Sequence, residues 1–499
     1  MMSWQFSSQR EMGNSVVYTV PLFLSPTNYL SLVFFSAVFL FCCAFPLNAQ
    51  AAGKPNYDYD LFNAEVGRLT NGVPYIVKQR AHSQSVYVRA VFDVGFMNFS
   101  CEKQQVAHLV EHMLFQGTSK ESEQSIRKTF RLYGGKANGF TFRGMTYYQF
   151  EVHRDHLAEA LALFQSMLTD SLMTEDVYKR AQEIVRTERG ISASRWKQLI
   201  GGDEHALFDV NLNRLFADTT LGCLKKPSPF DVSYEEAIAV YEKYYHPKNL
   251  TLIAIGDSSQ EEMIRLLEKQ FGDLTGDGER RMQPPSRTVE HLEEEVRRKK
   301  ITSNESKVFF ALEVPGFGHE DASAVYVLNA YLDETLFNKV RIQQSLGYTP
   351  RSRVYGDEFR GFLVAEVKTT PKNLPRVLAL FNAEFKSLAE KGIPAAEFEA
   401  IKRQTYLRKQ TKELKNREVA DQYTFHKVQA LEQGYMKPVT AAIKNLTRDE
   451  VNAAAAKYFQ PQPAVAYTKP ISLNFLLLYF AGILLVAVLL RRFVMAIRR

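Results

Sequence analysis

Two charge-free runs, one near each end of the chain, confine everything else it can build. Residues 29–47, YLSLVFFSAVFLFCCAFPL, carry no charged side chain and lead into Ala49-Gln50-Ala51. A small-x-small triplet after an apolar run fits a signal peptidase site, so residues 1–51 read as a signal peptide cleaved after Ala51, with an uncleaved N-terminal anchor as the alternative. At the other end, Ile471–Leu490 is twenty uncharged residues rich in Leu, Val and Phe. At about 1.5 Å per residue such a helix matches the ~30 Å hydrocarbon core. Arg491, Arg492, Arg498 and Arg499 follow and favour a cytoplasmic C-terminus. The expectation is a globular body, residues 52–470, held outside the cytoplasm by one transmembrane helix and a basic tail at 491–499.

That body has ordinary globular chemistry. Of 499 residues, 45% are apolar and 23% charged, which excludes disordered and collagen-like chains. The net charge is +7, and the final nine residues alone carry four arginines. What is left over the body is too small for a nucleic-acid reading based on charge. Cys42 and Cys43 lie in the N-terminal apolar run, leaving Cys101 and Cys223. Two cysteines allow one disulfide or two small buried side chains, and spacing alone leaves both open.

Within the body, strand and helix patterns alternate. Val73–Val77 and Val86–Val94 read as strands, with Pro74 placing the first at a sheet edge or a strand start. Helical spacing covers 102–116, 122–132, 155–169 and 174–189, with short strands between 140 and 152. Thr251–Ile255 reads as a buried strand and Gln260–Phe271 as a helix. A segment rich in Gly, Pro and charge follows. We take 277–298 as the linker between a first domain (52–276) and a second (299–468). The second has strands at 308–314 and 362–368 and helices at 322–344, 374–390 and 395–415. The tight βαβ period of a doubly wound sheet is missing. The fold class expected is therefore α+β, two related α/β sandwich-like domains plus the C-terminal transmembrane helix.

The chemistry concentrates in VAHLVEHMLFQGT. His108 and His112 stand at i and i+4, so one helical face can aim both imidazoles at one ion, and Glu111 projects to the same side. Two imidazoles and a carboxylate suit Zn²⁺. The order H-x-x-E-H inverts the commoner zinc-protease motif. A surface helix with charged residues is the bland alternative. His153 and His156, the nearest rival pair, read as solvated.

HLVEHMLFQGT closely resembles the H-x-x-E-H-x-x-F-x-G-T block of the pitrilysin, insulin-degrading enzyme and mitochondrial processing peptidase family of zinc peptidases. That resemblance implies a third ligand about 75 residues beyond the second His. Glu188 fits, in AQEIVRTERG, with Glu183 the competitor. The family's further acid, seven positions before that Glu, is replaced here by Ala181. GGKANGFTFRGMTYYQF resembles the family's strand beside the zinc, which implies that Asn138 and Gly139 form an edge pairing with substrate backbone. NLTLIAIGD matches a strand near the end of the family's first domain. LFNKVRIQQSLGYTPRS resembles the block that supplies the family's substrate-binding Arg/Tyr pair, here Arg341 and Tyr348.

The resemblance implies one Zn²⁺ per chain held by His108, His112 and Glu188, with Glu111 as general base and Arg341 and Tyr348 on the substrate and its oxyanion. The family encloses its site in a chamber of four such domains. A two-domain chain is therefore expected to pair, as a homodimer or with a related chain, and to act on peptides or unfolded segments. The expected location is the bacterial inner membrane, the domains facing the periplasm or exterior. A non-catalytic scaffold subunit is the competing function.

Overall fold

The computed structural model describes residues 64–188, 228–276, 278, 295–299, 305–356, 358–433, 439–470 and 473–497. The expected signal segment 1–51 and Cys223 lie outside them.

The first half builds one six-stranded sheet. Its strands are β1 (Glu65–Arg68), β2 (Pro74–Gln79), β3 (Ser85–Phe92), β4 (Lys136–Thr141), β5 (Thr146–His153) and β6 (Leu250–Gly256), in the order β1-β2-β6-β3-β5-β4. Only β2 and β6 pair in parallel. Pro74 opens β2, where no ladder N–H is lost. Successive residues of a strand face opposite sides, and here both sides are covered. Val86, Val88, Ala90 and Phe92 join Leu252, Ala254, Tyr148 and Phe150 in the main core. The helices over that face are α1 (Val106–Met113), α2 (Glu123–Leu132), α3 (Leu157–Thr169), α4 (Glu175–Glu188), α5 (Tyr234–Tyr244) and α6 (Gln260–Phe271). Gly256 takes φ +153 at the end of β6, and a Cβ there would strike the Ser85 carbonyl oxygen at 2.2 Å, so the strand closes on glycine.

The second half builds a five-stranded sheet from β7 (Glu295–Lys299), β8 (Ser306–Pro315), β9 (Gly347–Gly356), β10 (Arg360–Thr369) and β11 (Ala464–Pro470), in the order β7-β11-β8-β10-β9. β7 thus adds most of its residues to this sheet from within the segment expected as linker. The accompanying helices are α7 (Ala322–Leu336), α8 (Leu374–Lys391), α9 (Ala395–Glu413), α10 (Asn416–Phe425), α11 (Lys427–Gln433), α12 (Val439–Asn445) and α13 (Arg448–Phe459). The continuous helix expected over 322–344 instead changes to a π-helical turn at Phe337–Gln343.

The halves are joined by α10 and α11, which cover the outer face of the first sheet. Tyr87, Val91, Tyr147, Ile253 and Ile255 pack there on Val419, Ala420, Tyr423 and Ala430. The Arg89 guanidinium is fully buried in this contact. It bonds Asp421 Oδ1 at 2.6 Å, Thr424 Oγ1 at 2.7 Å and Gln149 Oε1 at 2.9 Å, and lies 3.9 Å over the Tyr147 ring. A buried charge needs this many partners to be tolerated.

A 25-residue helix, α14 (Leu473–Ile497), follows β11. Its described side chains run from Leu477 to Arg491, and the apolar ones among them are exposed. Among the described residues no helix is long and apolar enough to cross a membrane. The structure therefore does not support the transmembrane helix expected at 471–490.

Candidate metal centre

α1 buries Val106, Ala107, Leu109, Val110 and Met113 in the main core, which leaves His108 and His112 half-buried on the helix's other side. The helical i, i+4 step sets their Nε2 atoms 3.2 Å apart. The Nδ1 of His108 lies 3.3 Å from Gln105 Oε1, a bond that presents the Nε2 lone pair to the other donors when Nδ1 carries the proton. Burial lowers the pKa of His112, which favours the neutral, ligating form.

α4 packs against α1 through the stripe Val177, Ala181, Val185. The next position on that stripe is Glu188. Its Oε2 stands 3.3 Å from His108 Nε2 and 3.2 Å from His112 Nε2. The competitor Glu183 turns away and pairs with Arg186 at 2.6 Å. Ala181 is a core residue rather than an acid at the site. His108, His112 and Glu188 are the one group of this kind among the described residues. His153 instead lies beside Asp155, and His156 stacks on Tyr133.

The three donor atoms form a nearly equilateral triangle. Ligands about 2.0–2.1 Å from a tetrahedral Zn²⁺ stand roughly 3.3–3.4 Å from one another, and a His/His/carboxylate set leaves a fourth position for water. Donor chemistry and spacing both fit zinc.

Glu111 sits differently. It is buried against β4, where the Thr141 hydroxyl donates to its Oε2 at 2.7 Å. Burial is the largest influence on its pKa and pushes it up to about 7, with the Glu188 charge adding and the Thr141 bond opposing. Alternation along β4 puts Gly139 on the same face. A Cβ at Gly139 would lie 2.8 Å from Phe115 Cε2 and 2.9 Å from Glu111 Cγ. Gly139 is buried and Asn138 exposed, on a strand that among the described residues pairs only with β5. The outer edge of β4 has no strand partner among the described residues.

Two predictions follow from this contact. Gly139→Ala should displace the Glu111 carboxylate and lower kcat by about 10²-fold, since a misplacement near 1 Å costs that much. Zinc content should hold; unchanged steady-state kinetics would contradict the contact. Thr141→Ala should lower kcat by about 10-fold, the scale of one hydrogen bond to a charged group, while Thr141→Ser restores it. Equal kinetics for the two variants would mean the hydroxyl does not orient Glu111. The reading from sequence missed Thr141, although it lies two residues beyond Gly139 in the strand already singled out.

Arg341 and Tyr348 meet each other, the guanidinium 5.0 Å above the ring, and both are exposed. The structure brings neither into contact with the His108/His112/Glu188 group. Their surroundings are irregular. Ser345 (φ 48°) and Thr349 (φ 46°) adopt left-handed backbone, unusual for a β-branched residue, and the β9–β10 register shifts between Glu366 and Lys368. With the π-helical turn beneath, these distortions aim Tyr348 outward. Such features gather at functional sites.

Cys101, in the 3₁₀ turn Cys101–Lys103 ahead of α1, is disulfide-bonded, and its partner lies outside the described residues.

Fold and site together define a metallopeptidase-like architecture. The family model described as Insulinase (Peptidase family M16) matches residues 75–210, and the one described as Peptidase M16 inactive domain matches 231–405. Together they cover more than half of the chain, which belongs to peptidase family M16. The "inactive" match falls on residues that include none of the three donors. Among curated relatives, "Uncharacterized zinc protease YmxG" of Bacillus subtilis is 25% identical over 67% of this chain and 80% of its own length. "Probable mitochondrial-processing peptidase subunit beta" of Schizosaccharomyces pombe is 22% identical over 54% of this chain and 58% of its own length. The match covers 23% of "Probable zinc protease PqqL" from Haemophilus influenzae, at 25% identity over 42% of this chain. Most of these relatives are thus matched over little more than half their length or less. A protease structure from Helicobacter pylori shares the fold, with TM-score 0.69 and 20% identity over 82% of this chain and 100% of that one.

Proposed function

We propose that this chain is a zinc-dependent endopeptidase for peptides or unfolded segments. The observation that carries the reading is the triangle of His108, His112 and Glu188 donors with the buried Glu111 beside it. One zinc per chain would supply Lewis acidity toward water and the scissile carbonyl. The chain's own residues do the rest. Glu111 takes a proton from the attacking water and returns it to the leaving amine, and burial, which raises its carboxyl above the usual carboxylate range, suits the return of that proton. Thr141 and Gly139 fix its orientation. The edge of β4 at Asn138 and Gly139, without a strand partner among the described residues, holds the substrate as an added strand. Arg341 and Tyr348 bind substrate and the developing oxyanion.

Because Arg341 and Tyr348 do not touch the metal group of their own chain, the complete site is proposed to form in a dimer, a homodimer being the simplest and a heterodimer with a related chain the alternative. The proposed setting is the outer face of a bacterial inner membrane. The uncharged run 471–490 with the arginines after it, and the disulfide-bonded Cys101, support that setting, since disulfides persist in oxidising compartments. A scaffold subunit without activity is the competing function, and the full ligand set speaks against it. The test is metal analysis joined to digestion of a mixed peptide library by the detergent-solubilised protein. Stoichiometric zinc with cleavage supports the reading; zinc-free protein or no cleavage overturns it.

A further inference from the structure

The two faces of β4 differ. Ala137, Gly139 and Thr141 face α1, while Asn138 and Phe140 face the opposite way. That second face is roofed by the other half of the molecule. Phe140 packs on Tyr147 at 5.4 Å between ring centroids. Arg417, in the first turn of α10, places its guanidinium 5.6 Å from the Phe140 ring centroid. Arg417 is exposed and makes no ion pair among the described residues. Its neighbour Asp421 is already committed to Arg89. The second half thus sends one uncommitted cation onto the strand that lies beside the metal centre.

We propose that Arg417 is a specificity-determining residue that selects peptides carrying an aspartate or glutamate at one fixed register from the scissile bond. The inference rests on the proposed peptidase reading, in which substrate lies along the outer edge of β4. In an added strand, alternate side chains share the face of Phe140, and a directly opposed pair has Cβ atoms about 4.5–5.5 Å apart. A substrate side chain at that position lies against the Phe140 ring and beneath the guanidinium. An apolar stem with a carboxylate tip satisfies both, since the stem covers the ring and the tip meets the charge. A lysine or arginine there places like charges together. The neighbouring substrate side chains point to the α1 face and escape this selection, so the preference is confined to one register.

The test compares matched peptide sets that differ only in Glu, Gln or Lys at each position around the cleaved bond. For the unaltered protein we expect kcat/KM to favour Glu over Lys by about 10-fold at one position, the scale of an exposed charge pair and its like-charge counterpart. Arg417→Glu should invert the order at that position alone, and Arg417→Lys should preserve it. The ratio is taken within one preparation, so partial misfolding of a variant cancels. Binding of the same peptides by Glu111→Gln protein, followed by fluorescence anisotropy, gives a second readout that needs no turnover. A Glu/Lys ratio that Arg417→Glu leaves unaltered, in cleavage and in binding, overturns the proposal. If peptides bind with the expected Arg417-dependent ratio but nothing is cleaved, the peptidase reading fails and the docking inference stands.

Discussion

Glu111→Gln should retain zinc at the stoichiometry of the unaltered protein and lose peptide turnover by about 10³-fold, inside the 10²–10⁴-fold range of a general base. The reason is positional. Glu111 points at Thr141 on β4 rather than into the donor triangle, so an amide there leaves the three ligands untouched. The amide can still accept the Thr141 bond, and the fold should not notice. What is lost is the ability to take a proton and give it back. Metal analysis and steady-state kinetics on one preparation separate the two effects. Cleavage at the ordinary rate would remove Glu111 from the chemistry. Zinc lost together with activity would make Glu111 a ligand instead, and the geometry would have been misread.

Removing a ligand should act in the opposite order. Glu188→Ala should weaken zinc binding by more than ~10²-fold, beyond the 10–100-fold typical of residues that only orient ligands, and activity should fall with it. Excess zinc should restore part of that activity, which it cannot do for Glu111→Gln. Glu183→Ala is the control, because its carboxylate pairs with Arg186 away from the imidazoles. Equal zinc affinity for Glu188→Ala and the unaltered protein would dissolve the proposed centre. The same loss in Glu183→Ala would move the third ligand there.

Much of this was visible in the residue pattern, for identifiable reasons. The helix carrying His108 and His112 announces itself because three and four residue steps fix which side chains share a face. Glu188 needed the resemblance, since a residue 76 positions downstream has no local signal. Structure then explains it as the last step of the Val177, Ala181, Val185 stripe. Gly139 was expected as a substrate edge, and its contact with Glu111 was hidden because close approach between elements leaves no periodicity. β9 was missed outright. Its sequence GYTPRSRVYG contains a proline and two glycines, poor strand formers that nevertheless pair with β10 across one register shift. The role of α10 and α11 was equally out of reach. The outer-face residues Tyr87, Arg89 and Val91 demand a cover, but nothing in the strand says that the cover comes from more than 300 residues away.

The central claim is that two imidazoles and one carboxylate share a single zinc. X-ray absorption at the zinc edge of the purified, detergent-solubilised protein reads that environment directly. The account predicts only nitrogen and oxygen neighbours at about 2.0–2.1 Å, with the outer-shell scattering of two imidazoles. A sulfur shell near 2.3 Å, a single imidazole, or a preparation that binds no zinc would contradict it.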